Sequence, residues 1–135
     1  MSKTNLVQER ITKLLNEQNS ELDVKVRITK LSDSDVQVAI KTQNVFCQIN
    51  NLGEILDNTF FSRIIFDIEP DTTLNVQSKR YEYSINASNE CTVHSFFLKE
   101  SGDVYIQLGP NCKLYYKGQH NIKTNMGCTI ENANR

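Results

Sequence analysis

Leu22-Asp23-Val24-Lys25-Val26-Arg27-Ile28-Thr29 is the stretch whose reading sets the fold class. Four apolar side chains alternate with four polar or charged ones. An extended chain turns successive side chains to opposite faces, so a period of two predicts a strand with one buried face and one wet face. Just upstream the period is helical. Over residues 5–18, Leu6, Val7, Ile11, Leu14 and Leu15 form one narrow apolar stripe, with Glu9, Arg10, Lys13 and Glu17 around it. Ser2 or Thr4 is placed to cap that helix, and Asn19-Ser20 to stop it. A stripe this narrow suits a helix lying on a sheet.

Downstream the period of two persists. Ser32-Asp33-Ser34-Asp35 reads as a turn, because short polar side chains bond their own backbone there. Val36, Val38 and Ile40 follow, so residues 22–40 are expected to form a hairpin. Val45, Cys47 and Ile49 predict a short third strand. Asn51-Leu52-Gly53-Glu54 resembles a helix cap and predicts one or two helical turns with Ile55 and Leu56. Residues 60–68 are apolar at Phe60, Phe61, Ile64, Ile65, Phe66 and Ile68, which predicts a central strand covered on both sides.

From residue 32 onward, turn signals recur about every 8–12 residues, a rhythm of hairpins or of a sandwich. Strands are expected around Leu74 and Val76, Tyr81 to Ile85, 91–98, Val104 to Leu108, Leu114 and Tyr116, and Ile122, with a last short one at Thr129-Ile130. No βαβ rhythm, internal repeat or linker is apparent. The expected fold is therefore α+β: one N-terminal amphipathic helix followed by a mainly antiparallel, curled β-sheet or sandwich of about seven to nine strands. The expected organisation is a single globular domain, with the helix at 5–18 and the β-rich part at 22–130.

Composition narrows the function. The 135 residues are enough for one core without disulfides or metals, and the net charge of −1 argues against a general nucleic-acid coat. Charge is uneven: residues 1–103 carry net −4 and residues 104–135 net +3. Met1-Ser2-Lys3-Thr4-Asn5 leads into a charged helix without the apolar run of a signal peptide. No stretch approaches the ~20 apolar residues of a membrane span. The expected compartment is a reducing cytoplasm, with Cys47, Cys91, Cys112 and Cys128 as free thiols.

Four constellations bear on chemistry. Cys91 and His94 have a zinc-like spacing, and Cys112, His120 and Cys128 follow. Positions i and i+3 of a strand, however, point to opposite faces, and the later ligands are single. For a thiol nucleophile, Cys112 is the best placed, on an expected exposed turn beside Lys113. Asp67, Glu69 and Asp71 share a parity at a strand end, a hard-cation or acid–base arrangement that equally serves to solvate a turn. Lys79, Tyr81 and Tyr83, with Lys113, Tyr115 and Lys117, interleave aromatic and basic side chains as a surface for single-stranded nucleic acid or another anion does. Alternating lysines also protect edge strands from aggregation.

No phosphate loop, nucleophile elbow or metalloprotease helix is present. The sequence therefore favours a non-catalytic binding domain that engages a protein partner, as an adaptor, inhibitor or immunity-type factor does. No cofactor or metal is expected. Two alternatives stand beside it. One is binding of nucleic acid or an anion through Lys79, Tyr81, Tyr83, Lys113, Tyr115 and Lys117. The other is a small Cys- or carboxylate-dependent enzyme or metal-binding sandwich. Exposed strand edges also permit a homo-oligomer.

Overall fold

The computed structural model describes residues 2–133. Helix α1 spans Lys3–Gln18, and strands β1 (Val26–Lys30), β2 (Asp35–Ile40) and β3 (Phe46–Ile49) follow it. A one-turn helix α2 (Gly53–Leu56) precedes β4 (Arg63–Ile68), β5 (Thr73–Ser78), β6 (Glu82–Ala87) and β7 (Thr92–Phe97). The chain closes with β8 (Val104–Leu108), β9 (Lys113–Lys117), β10 (His120–Lys123) and β11 (Thr129–Asn132).

These strands do not form the expected antiparallel sheet or sandwich. Successive strands alternate between two sheets, in the order β1-β2-β4-β6-β8-β10 in the first and β11-β9-β7-β5-β3 in the second. Among the described residues only β1 and β2 pair antiparallel, and every other pair is parallel. The fold is a β-solenoid of about four turns. Each turn signal that sequence reading takes for a reversal is instead a corner, where the chain leaves one sheet and enters the other.

The corners carry the repeat that the side-chain pattern conceals. Asn44, Asp71, Glu90, Asn111 and Gly127 occupy one corner column, all with positive φ between 60° and 77°. The column is tied by backbone bonds from coil to coil: Asn44 N–H to Pro70 O, Asp71 N–H to Asn89 O, Glu90 N–H to Pro110 O and Asn111 N–H to Met126 O. Asn and Asp tolerate the left-handed region, and glycine enters it without strain. The next residue of each corner is Val45, Thr72, Cys91, Cys112 or Cys128, and its carbonyl accepts the first N–H of the strand in the adjacent coil wherever one follows. Chemically different residues thus fill one structural position, and α2 lengthens the first coil alone, so the period is both irregular and disguised.

Inward residues stack in columns between the sheets. Val38, Phe66, Ile85, Ile106 and Ile122 line up on the first sheet, and Cys47, Leu74, Val93, Leu114 and Ile130 on the second. Strand β4 is central, as expected, but only Ile64, Phe66 and Ile68 are buried; Ile65 faces outward and Phe60 is 86% exposed. Among the described residues no layer covers the second face of that strand.

Helix α1 forms from the expected stripe. Val7, Ile11 and Leu15 are buried, and Ser2 Oγ accepts the Asn5 N–H. It closes the N-terminal end of the solenoid through two side-chain amides. Gln18 Nε2 donates to Gln48 O at 2.9 Å, and the Gln48 N–H donates to Gln18 Oε1 at 2.8 Å. Asn19 Nδ2 donates to Phe46 O at 2.7 Å, and the Phe46 N–H donates to Asn19 Oδ1 at 2.9 Å. A carboxamide carries the donor and acceptor of a peptide group, so these two side chains stand in for a neighbouring strand along the edge of β3.

Candidate binding surfaces

Among the described residues a partner has access to the outer faces of the two sheets, to the edge of β1 and to the C-terminal end. The parallel register assigns each outward side chain to a row.

On the first sheet, Gln37, Ile65, Ser84, Tyr105 and Asn121 form one row, and Ala39, Asp67, Asn86, Gln107 and Lys123 the next. Asp67 is held in place here: Asn86 Nδ2 donates to it at 2.9 Å, and Gln37 donates to its other oxygen. Arg63 donates to Ser84 Oγ at 2.9 Å and lies over the Tyr105 ring. A shallow groove of about 690 Å³ crosses this face, lined by Ile65, Ser84, Tyr105, Gln107, Asn121 and Lys123, and reaches the edge strand β10.

On the second sheet, the rows are Phe46, Thr73, Thr92, Lys113 and Thr129, then Gln48, Asn75, His94, Tyr115 and Glu131. His94 stacks on Tyr115, with ring centroids 4.8 Å apart and planes 18° from parallel. Phe96 lies in register with Lys117.

The six aromatic and basic residues singled out in the sequence fall in three places. Lys113, Tyr115 and Lys117 share the outer face of β9. Lys79 is exposed at the corner between β5 and β6, beside Tyr81, whose hydroxyl donates to Asp57 Oδ1 at 2.6 Å and whose ring lies under Arg80. Tyr83 points inward and is fully buried. Lys79, Tyr81 and Tyr83 thus form no common face. His94, which the sequence singles out only for its zinc-like spacing from Cys91, and Phe96, which it does not single out, complete the second-sheet surface. The signal was the shared parity of Thr92, His94 and Phe96 with Lys113, Tyr115 and Lys117, which has meaning only once the two strands are known to be neighbours.

The cysteines and carboxylates serve the frame. Cys91 Sγ donates to Glu69 O at 3.2 Å, Cys112 Sγ to Ser88 O at 2.9 Å and Cys128 Sγ to Gly109 O at 3.2 Å, so each thiol ties its corner to the preceding coil. Cys112, expected on an exposed turn, is fully buried. Burial pushes the Cys47 thiol up to about 12 and the Cys91 thiol to about 11, and raises Cys112 as well, which opposes thiolate formation. Cys91 sits in the corner while His94 faces outward. Asp67, Glu69 and Asp71 separate: Glu69 pairs with Lys41 at 3.7 Å, and Asp71 takes its place in the left-handed column. Among the described residues no group of three or more His, Cys, Asp and Glu is arranged to hold a metal ion, and no helix is long and apolar enough to cross a membrane.

One buried polar network lies between the sheets. His120 Nδ1 is 3.1 Å from the Gly118 carbonyl, which can only accept, so Nδ1 carries the proton. Nε2 then accepts from the Ser95 hydroxyl at 2.7 Å, and Ser95 Oγ accepts from Tyr83 at 2.6 Å. Desolvation lowers the His120 pKa, more than the Gly118 carbonyl and Asp103 raise it. Ser95 is fully buried, so the Ser–His contact organises the core and presents no nucleophile to solvent.

Among the described residues no side-chain amide covers the C-terminal end as Gln18 and Asn19 cover β3. The Val104 N–H donates to Gln119 O, so in the alternating parallel ladder His120 and Ile122 direct their backbone groups away from β8. Thr129 and Ala133 donate to Cys112 and Tyr116, which turns the Ile130 backbone outward in the same way. All four residues of β11 are exposed, Ile130 is 40% exposed, and Met126 is 81% exposed. No strand lies outside β10 or β11 among the described residues. The chain matches no protein family, no curated protein and no solved structure.

Proposed function

We propose that this chain is a non-catalytic binding domain that engages a protein partner by strand addition at the C-terminal end of the solenoid. The observation that carries the reading is the contrast in edge chemistry. Gln18 and Asn19 satisfy the edge of β3, whereas the backbone groups of His120, Ile122 and Ile130 point outward from β10 and β11. An open edge supplies main-chain hydrogen bonds for affinity, and flanking side-chain sites supply specificity. The groove beside β10 provides such sites: alternate side chains of an added strand would project over Tyr105, Gln107 and Lys123.

Selection from a library of extended peptides tests this with the 135-residue chain. The expected winners alternate apolar and polar residues over about five or six positions, the length of an ordinary strand. They protect the His120 and Ile122 amides from hydrogen exchange, and Ile122→Pro abolishes their binding. Winners that protect neither amide, or that bind Ile122→Pro unchanged, refute the reading.

A further inference from the structure

The outer face of the second sheet holds a set of groups that strand addition at β10 does not use. His94 and Tyr115 stack, and Phe96 sits one position along, in register with Lys117. Beside these rings is a depression of about 170 Å³ bordered by Gln48, Asn50, Asn75, Gln77, His94 and Phe96. Four of those six side chains are carboxamides. Gln48 Nε2 donates to Asn50 Oδ1 at 2.8 Å, which fixes that pair. The Asn75 Oδ1 atom is buried and has no hydrogen-bond partner, a costly state for an acceptor unless a donor arrives. Lys113 and Lys117 flank Tyr115 on the same face of β9, and at about 3.3 Å per residue their Cα atoms are about 13 Å apart. Glu131 is the one carboxylate on the described rows of this face, whereas the first sheet displays Asp35, Asp67 and Glu82.

We propose that this face binds single-stranded nucleic acid. The rings supply stacking platforms, which accept any base. The carboxamides match the donor and acceptor edges of an unpaired base, and a turn of the Asn75 carboxamide brings its unpaired Oδ1 to a base amino or imino group. Lys113 and Lys117 are far enough apart to meet two separate phosphates. An acidic peptide would satisfy the two lysines but has no planar face for the rings. The site is distinct from the open end, so the two proposals fail independently.

The test is fluorescence anisotropy with labelled oligonucleotides of about 12 nucleotides, in deoxy and ribo forms, on the intact chain. Affinity should fall with salt on a log–log slope near −1.4, or about −0.7 for each of two phosphates. Lys113→Gln with Lys117→Gln should flatten that slope towards zero. Tyr115→Ala should weaken binding about tenfold. Asn75→Ala should change the ranking of oligo-dA, oligo-dC and oligo-dT and leave the salt slope alone. Lys123→Gln, on the opposite face, should have no effect. Circular dichroism and a thermal melt of each variant establish that the fold is retained. The proposal is overturned by absence of binding at low salt, by duplex binding as tight as single-strand binding, or by polyglutamate binding that Tyr115→Ala leaves unchanged. An effect of Lys123→Gln equal to that of the β9 lysines overturns it as well.

Discussion

The two ends of the solenoid solve one problem differently. Each end of a coil stack leaves a row of backbone donors and acceptors and the cut surface of a core. At the N-terminal end, α1 lays Val7, Ile11 and Leu15 on that surface, and the amides of Gln18 and Asn19 complete the edge of β3. At the C-terminal end, the space between the sheets is more polar. His120, Ser95 and Tyr116 occupy inward positions there, and β11 is exposed along its length. The edge of β3 is built as a closure, β1 stays an open antiparallel edge beside it, and the C-terminal end is built as a surface. Stability should accordingly be concentrated at the first end and adaptability at the second.

The largest expected effect lies at the closed end. Leu15→Ala removes a fully buried side chain at the junction of helix and coil stack, and should destabilise by about 2–5 kcal/mol. Ile130→Ala at the open end removes a side chain that is already 40% exposed, and should stay below about 1 kcal/mol. Urea denaturation of both variants reads the contrast directly. Equal losses at the two sites would break it.

The open end nevertheless has one rigid point. Gly118 has φ +102°, and a Cβ built there lies 2.0 Å from the Phe97 carbonyl oxygen, against backbone that cannot swing aside. Gly118→Ala should therefore cost about 2–3 kcal/mol and loosen β9 and β10. Hydrogen exchange should rise in those strands while β3 and β5 stay protected. A variant that melts like the parent would show that the corner can relax. Asn19→Ala, at the closed end, leaves the Phe46 N–H and C=O without their amide partner, for an expected loss of about 1–3 kcal/mol. Asn19→Gln, one methylene longer, should not rescue it if the edge match is as specific as the geometry indicates.

The closed end was also the more legible in the sequence. Its helix, its first hairpin and the one-turn α2 follow from periodicity and capping, because each depends on residues close together in the chain, although β1 starts at Val26 and the expected inward Leu22 is exposed. The coil stack does not. A period of two fixes which face of a strand is buried but not which strand lies beside it. Hairpins and solenoid corners draw on the same residues: Pro70-Asp71, Asn89-Glu90 and Pro110-Asn111 suit a reversal as well as a corner. The antiparallel expectation failed at that ambiguity. What distinguishes the two is the recurrence of a left-handed residue followed by a buried Thr or Cys, as in Asp71-Thr72, Glu90-Cys91 and Asn111-Cys112, with the half-buried Cys128 after Gly127 in the last coil. Read as thiols for metal or catalysis, those cysteines hide the repeat; read as one column, they reveal it. The same ambiguity divided the candidate site, because the kinship of His94 with Tyr115 depends on a register that only the coils define.

The smallest effect separates the two ends most cleanly, since it acts at one of them alone. His120 meets Ser95, which in turn bonds Tyr83, on one side and Tyr116 on another, and the Asp103 charge acts to raise its pKa. Its folded pKa lies below the unfolded value of 6.5 because burial penalises the imidazolium. The unfolded chain therefore binds the proton more readily. The stabilisation is complete above pH 6.5 and declines as pH falls from there towards the folded pKa, at no more than about 1.4 kcal/mol per pH unit for one proton. Protonation also replaces the Nε2 acceptor with a second donor aimed at Ser95, so the Tyr83–Ser95–His120 chain must reorganise. Between pH 7 and 5, amide protection factors, taken against the intrinsic rate at each pH, should fall at β10 and β11 before those of β3 change, and His120→Gln should remove that pH dependence. Loosening of β3 at the same pH, or a slope that survives His120→Gln, would mean that the two ends melt as one unit and that the polar interior of the last coil is not what sets them apart.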